Sequence, residues 1–268
     1  MRNGKIAMKL PEGVRLIGAR ICSEEDDVML TTRLGKAIRF PAPDVRVFKG
    51  RESTGVRGIR LAEGDEVVSM AIIRHFEASS EERDAYLKMR RAVAGAPEEE
   101  VEPEEGEEVA DAAFELGQAR YVAMSEAEDL LLTVTETGAG KLSSSHDYPV
   151  RGRGGQGVAA MDRAMRGGPL VTLMPVEQDA QIMLATDAGQ SIRVPVGDIS
   201  FRSRGAGGVK VFSTAEGERV VSVALVAETG EEEEGTPIAP SSPPGSMTRR
   251  STSEGATSQG GRTAPQAP

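Results

Sequence analysis

Apolar residues in this chain come as short β-branched runs separated by Gly, Asp and Glu. Turn signals recur about every 8–12 residues, the spacing of short strands in an all-β fold. Residues 28–32 and 37–40 flank Arg33-Leu34-Gly35, a hairpin in which glycine supplies a positive φ. Residues 67–73 and 220–226 are continuous apolar runs of buried-strand length, without helical period. Helical spacing is confined to one place. Ser80-Glu-Glu opens a segment that ends on Lys88, Arg90 and Arg91. Acids at the start and bases at the end suit a helix dipole and predict one short helix over 80–93.

The runs repeat. Val28-Met-Leu-Thr-Thr-Arg-Leu-Gly35-Lys-Ala-Ile-Arg39-Phe reappears as Ile182-Met-Leu-Ala-Thr-Asp-Ala-Gly189-Gln-Ser-Ile-Arg193-Val, and Leu131 to Lys141 is a looser copy. Gly138 to Gly189 and Gly13 to Gly64 are both 51 positions, whereas Gly35 to Gly138 is 103. An insertion of about one period therefore lies between the first two hairpins. About four strands per unit of about 50 residues is the arithmetic of a propeller blade, and units this small must stack to bury their faces. Gly4-Lys-Ile-Ala-Met-Lys-Leu10 aligns with Gly55 to Leu61, so the chain opens in mid-unit. The expectation is a truncated or secondary start, with a degenerate first blade completed by the C-terminus as the alternative.

Charge sharpens these boundaries. Residues 1–73 carry a net +3, 74–128 a net −10, 129–227 a net 0 and 228–268 a net −3. The expected organisation is a half blade plus one blade (1–73), an acidic insert (74–128), two further blades (129–227) and a tail (228–268). The run 97–108 is acidic with almost no apolar residues, and the Pro-, Ser- and Gly-rich tail is similar, so both are expected to be disordered. The single cysteine, Cys22, rules out an internal disulfide. No signal peptide and no apolar run near 18 residues is present, so a soluble, cytoplasmic chain is expected.

Catalytic motifs fail on context. Gly152-Arg-Gly154-Gly-Gln-Gly157 fits a dinucleotide loop, but a strand-rich repeat follows it where a helix is required. Gly138-Ala-Gly140-Lys141 lacks the first glycine of a phosphate loop and has Leu142 for Ser or Thr. His75 and His146 have no ligand spacing around them, and no metal or acid–base site is expected. Bases, in contrast, recur at matched positions: Arg39 and Arg193 after the hairpin glycine, then Arg46, Lys49 and Arg51, Arg151 and Arg153, and Arg202 and Arg204 before Gly55, Gly157 and Gly208. Lys141 joins them. One base per unit at one height would make a track for a polyanion backbone. The alternative is a set of Gly-Arg turns with solvated charges. Few aromatics and no Trp argue against stacking on single strands.

Thr54-Gly-Val-Arg-Gly-Ile-Arg-Leu-Ala-Glu-Gly-Asp65, Thr133 to Lys141, Tyr148 to Val158 and Thr186-Asp-Ala-Gly189 resemble the C-terminal domain of the DNA gyrase A protein, over residues 1–227. The resemblance implies a partial β-pinwheel: about three and a half propeller-like blades of a six-bladed disc whose rim wraps duplex DNA. Arg151-Gly152-Arg153-Gly154-Gly155-Gln156-Gly157 matches four of the seven positions of the family's Q-R-R-G-G-K-G box. Leu142 stands where the other units have Arg39 and Arg193, which by this reading weakens wrapping. Arg120-Tyr121 only superficially resembles the context of the family's cleaving tyrosine. The resemblance implies no catalysis by this chain alone and no cofactor in it, with ATP and Mg used elsewhere in the holoenzyme. The implied partners are double-stranded DNA, the gyrase B protein and the rest of the gyrase A protein in an A2B2 complex, with no membrane. The rivals are the topoisomerase IV A protein, a protein-interaction propeller, and an inactive fragment that does not fold.

Overall fold

The structure is a computed structural model that describes residues 5–95, 114–162 and 167–226. Strand and hairpin chemistry recur three times. β1 (Asp26–Thr32) and β2 (Lys36–Pro41), β4 (Leu130–Thr135) and β5 (Ala139–Ser144), and β8 (Gln181–Thr186) and β9 (Ser191–Pro195) are antiparallel hairpins. In each, a glycine at φ 92°, 76° or 85° (Gly35, Gly138, Gly189) stands three residues after the end of the first strand. A threonine ends the first strand of each, and its hydroxyl accepts from the N–H of the residue after that glycine: Thr32 from Lys36, Thr135 from Ala139, Thr186 from Gln190. The short loop with glycine in the left-handed region fixes each hairpin's register. A short 3₁₀ turn follows each second strand, at Ala42–Asp44, Ser145–Asp147 and Val196–Asp198.

β3 (Val67–Arg74), β7 (Leu170–Val176) and β11 (Val220–Val226) add to the first strand of the three hairpins in turn. The fourth strand comes from the next repeat. β6 (Val158–Ala159) leaves the second repeat and pairs with Lys36 and Ala37 of β2. β10 (Val209–Lys210) leaves the third repeat and pairs with Ala139 and Gly140 of β5. The sheets therefore run β3-β1-β2-β6, β10-β5-β4-β7 and β11-β8-β9. The first and second blades are each completed by the next one, which converts stacking into backbone pairing. The expected fold class, all-β and built of propeller-like blades, is what the chain adopts; two of the described sheets have four strands and the third has three, and the exchange of the fourth strand refines the expectation. Residues 5–25 carry no strand.

The cores lie between blades, as units too small to bury their own faces require. Met29, Ala71, Ile73, Leu131, Tyr148, Leu170 and Leu173 join the first blade to the second. Leu132, Leu142, Ile182, Leu184, Ile199 and Val220 join the second to the third. Full burial of one such aliphatic side chain is worth about 1.5–3 kcal/mol.

The insert folds on the second blade. α1 (Ser80–Val93) opens on Ser79, whose hydroxyl accepts from Glu82 N–H while the Glu82 carboxylate accepts from Ser79 N–H. This is a capping box, which satisfies two otherwise open donors. A second helix, α2 (Gln118–Glu126), has no counterpart in the sequence reading; it is short and has no side-chain cap. Tyr86, Leu87 and Met124 bury between the helices, and His146 of the 3₁₀ turn stacks edge-on to Tyr86 and makes a 2.8 Å hydrogen bond from its Nε2 to Met124 O. Arg90 lies over the Phe201 ring, and the Arg91 guanidinium donates to Ser203 Oγ, so α1 also reaches the third blade. The acidic run 97–108 and the tail lie outside the described residues. Among the described residues no helix is long and apolar enough to cross a membrane.

Candidate nucleic-acid interface

The recurring bases divide by where their side chains go. Arg39 is buried, and its guanidinium spans the first junction. Its Nε donates to Asp27 at 2.6 Å, Nη1 to Ser145 O and Tyr148 O of the second blade, and Nη2 to Arg74 O. Asp27 is shared with His75 Nδ1 at 2.8 Å. Lys141 is also buried and does the same at the second junction. Its ammonium donates to Ser203 O and Ala206 O, each at 2.7 Å, and to Arg204 O. Leu142 occupies the position of Arg39 and is core; opposite Arg39, Asp27 gives way at the matching position to Leu130, which packs with Leu142 in that cluster. The second blade has thus exchanged a buried ion pair for an apolar pair, and Leu142 removes no exposed charge.

Arg153 and Arg204 occupy one repeat position and perform one task. Arg153 donates to Asp44 O at 2.9 Å and to Arg57 O at 2.5 Å. Arg204 donates to Asp147 O and to Ala159 O, each at 2.9 Å, and its own backbone N–H donates to the Asp147 carboxylate. In both cases a loop of one blade is fastened to the 3₁₀ turn and exchanged segment of the blade before it. Arg51 holds the same position in the first blade and is exposed. Arg193, the counterpart of Arg39 in the third blade, is exposed, between half-buried Ile192 and Val194 of β9. Recurrence at these positions therefore has an architectural cause, and Arg39, Lys141 and Arg204 present no surface to a phosphate.

The box-like loop is part of the same junction. Gly154 N–H donates to Gly58 O and Arg60 N–H to Gly155 O, each at 2.7 Å. Gly157 has φ 71°, and a Cβ there would stand 2.3 Å from Ala37 O. Only glycine permits that approach, because both the dihedral and the contact exclude a side chain. Gly152 and Gln156 are exposed.

A third recurring position remains at the surface. Lys49 is exposed, and Arg151 and Arg202, its counterparts, are half-buried. The backbones of the two arginines are held identically: Arg151 N–H donates to Arg39 O and Arg202 N–H to Leu142 O, both at 2.8 Å, beside parallel bridges Arg39–Val150 and Leu142–Phe201. Arg46 is exposed with its guanidinium 4.5 Å from the centroid of the Phe48 ring. Arg57 and Arg60, which sequence reasoning passes over, are exposed as well. Recurrence at the surface position does not point to them, while local charge would have found them. Among the described residues no group of three or more His, Cys, Asp or Glu is placed to hold a metal ion.

A family model described as DNA gyrase C-terminal domain, beta-propeller, matches residues 2–23, 26–74, 129–177 and 180–227. The chain belongs to the DNA gyrase C-terminal domain family. The matched segments reproduce the repeats and leave out the helical insert, so this family's blades are the units seen here. The DNA gyrase A protein of Granulibacter bethesdensis is 45% identical over 260 residues, covering 92% of this chain and 28% of that protein. Its Escherichia coli equivalent is 33% identical over 231 residues, covering 86% of this chain and 20% of that protein. The chain thus spans about a quarter of the length of such relatives. Its fold is similar to the crystal structure of the C-terminal domain of DNA topoisomerase IV, at TM-score 0.58 and 19% identity, covering 82% of this chain and 52% of that one.

Proposed function

We propose that this chain is a duplex-DNA-binding part of a bacterial gyrase A protein, acting on DNA shape rather than on covalent bonds. The observation that carries this reading is a recurring base, Lys49, Arg151 and Arg202, exposed or half-buried at one repeat position on successive blades of a gyrase C-terminal domain fold. Such a row meets phosphates at regular intervals and does not read bases. Arg46, Arg57 and Arg60 add exposed charge on the first blade, and half-buried Arg153 follows Arg151 by two residues. Bending duplex across the blades would present a second segment to the breakage site of the parent enzyme and bias strand passage toward negative supercoiling. In this reading the chemistry, ATP and Mg belong to the rest of an A2B2 assembly with gyrase B in the cytoplasm.

Binding of the purified chain to a short duplex and to one several times longer, across a salt series, tests the proposal. A steep salt slope with preference for the longer duplex is expected. A folded chain that binds neither duplex overturns it.

A further inference from the structure

The loops that follow the three 3₁₀ turns differ at one place. Phe48, Val150 and Phe201 hold one repeat position, each directly before a base of the row: Lys49, Arg151 and Arg202. At the first blade a cation from the same loop covers the ring, with the Arg46 guanidinium 4.5 Å from the Phe48 centroid. The third blade's loop is one residue shorter and has only Ile199 and Ser200 between Asp198 and Phe201, so it carries no base there. The cation over Phe201 comes instead from the insert: the Arg90 guanidinium of α1 stands 4.6 Å from that centroid. The second blade has Val150 at this position and no ring to cover.

α1 turns its basic end to this loop. Its acids, Glu81, Glu82 and Asp84, lie in the first half of the helix, and Lys88, Arg90 and Arg91 in the second. Arg90 fixes that end: its Nε donates to Glu128 at 3.0 Å, its side chain is only 21% exposed, and its guanidinium lies on Phe201. Arg91 Nη1 donates to Ser203 Oγ at 3.0 Å. Phe201 and Ser203, the two neighbours of Arg202, are thus both met by α1. Lys88 is exposed and Arg91 half-buried, and residues three apart on a helix are neighbours on its surface. An ammonium and a guanidinium are therefore held beside the third blade's member of the row.

We propose that α1 is part of the duplex-binding surface, with Lys88 and Arg91 as phosphate contacts at the third blade and Arg90 as the residue that positions them. The inference rests on the reading that the row meets DNA and extends it from the repeats to the insert. A helix packed on two blades offers its bases at fixed places, so the insert as well as the blades sets the path of the duplex at the second junction. Contacts from an ammonium and a guanidinium to phosphate add affinity and salt dependence without reading bases. The ligand of this site is duplex DNA of any sequence.

The salt slope of duplex binding tests it, on the full chain, on a Lys88→Gln chain and on one with Lys88→Gln and Arg91→Gln, with melts showing that all three are folded. The slope should become shallower by about 0.9 for the single variant and about 1.8 for the double. Lys88→Gln alters an exposed side chain and leaves the Arg90 and Arg91 contacts in place, so undocking of α1 does not account for its effect. Placement is read separately in a Cys22→Ser background. A photo-reactive group on Lys88→Cys should cross-link to bound duplex, and one on Ala188→Cys, exposed at the hairpin tip of the third blade, should not. Unchanged slopes in both variants overturn the inference, as does equal cross-linking from the two sites. A slope reduced in a chain with Lys49→Gln, Arg151→Gln and Arg202→Gln would then show that the DNA reading stands without the insert, whereas a folded chain that binds no duplex overturns both.

Discussion

Lys141→Met separates an architectural role from a DNA-binding one. The substitution keeps the bulk of the stem and removes a buried ammonium that three carbonyls share, those of Ser203, Arg204 and Ala206. All three belong to the loop that the third blade lays on the second. The substitution leaves three buried carbonyls without their donor, at about 1–3 kcal/mol each, and relief of the ammonium's desolvation offsets part of this, for a net loss of about 3–5 kcal/mol. Against a total stability of about 5–15 kcal/mol this is a large fraction. It lowers the melting temperature by about 6–20 °C, at about 2–4 °C per kcal/mol for a domain of this size. Lys49→Met, on an exposed side chain, should stay within about 0.5 kcal/mol. The assays are a urea or thermal melt and the salt dependence of duplex binding, on both variants. Lys141→Met should lose stability and, below its melting point, keep the salt slope; Lys49→Met should keep stability and lose slope by about 0.9. A stable Lys141→Met chain with a reduced slope refutes the reasoning, because the ammonium would then be meeting phosphate.

Further outcomes follow from the same junctions. Gly157→Ala forces a side chain into left-handed backbone and against Ala37 O, so we expect a loss of about 1–3 kcal/mol from the dihedral alone, read by denaturant melting, and Gly152→Ala, in open space, as its neutral control. Arg39→Leu alone should be strongly destabilising because it strands Asp27, whereas Asp27→Leu with Arg39→Leu copies the Leu130–Leu142 arrangement and should recover much of the loss in a double-mutant cycle; additive losses would contradict this. Burial holds the His146 imidazole below its ordinary range, with the Arg39 charge acting in the same direction. The unfolded chain then binds the extra proton, so stability is full above about pH 6.5 and falls as pH drops below it, by at most about 1.4 kcal/mol per pH unit. A His146→Gln chain with an undiminished acid slope near pH 6 would exclude this histidine as the cause.

The parts of this fold that are legible in the sequence are local. Thr32, Thr135 and Thr186 with their following glycines specify a hairpin within seven residues or so, and Ser79 and Glu82 specify a helix start within four. Strand exchange is not legible, because β6 and β10 are two residues each and carry no period of their own. Nor is the fate of the bases. Recurrence shows that a position is equivalent from blade to blade, and says nothing of whether its side chain points to solvent or to the next blade. Arg39 and Lys49 both recur, as Arg193 and as Arg151 and Arg202, yet Arg39 is buried on Asp27 and Lys49 is exposed. The paired change of Asp27 and Arg39 to Leu130 and Leu142 is the available signal. Two positions that change charge together imply contact, and a base in contact with an acid on its own hairpin is a poor candidate for phosphate.

The same division gives the most direct test of the account. The salt slope of duplex binding should be measured for the full chain and for one carrying Lys49→Gln, Arg151→Gln and Arg202→Gln, with melts confirming that both are folded. The account predicts a slope shallower by about 2.7, three phosphate contacts at about 0.9 each. An unchanged slope in a folded triple variant would contradict it, because the row of bases along the junctions would then not be where the DNA lies.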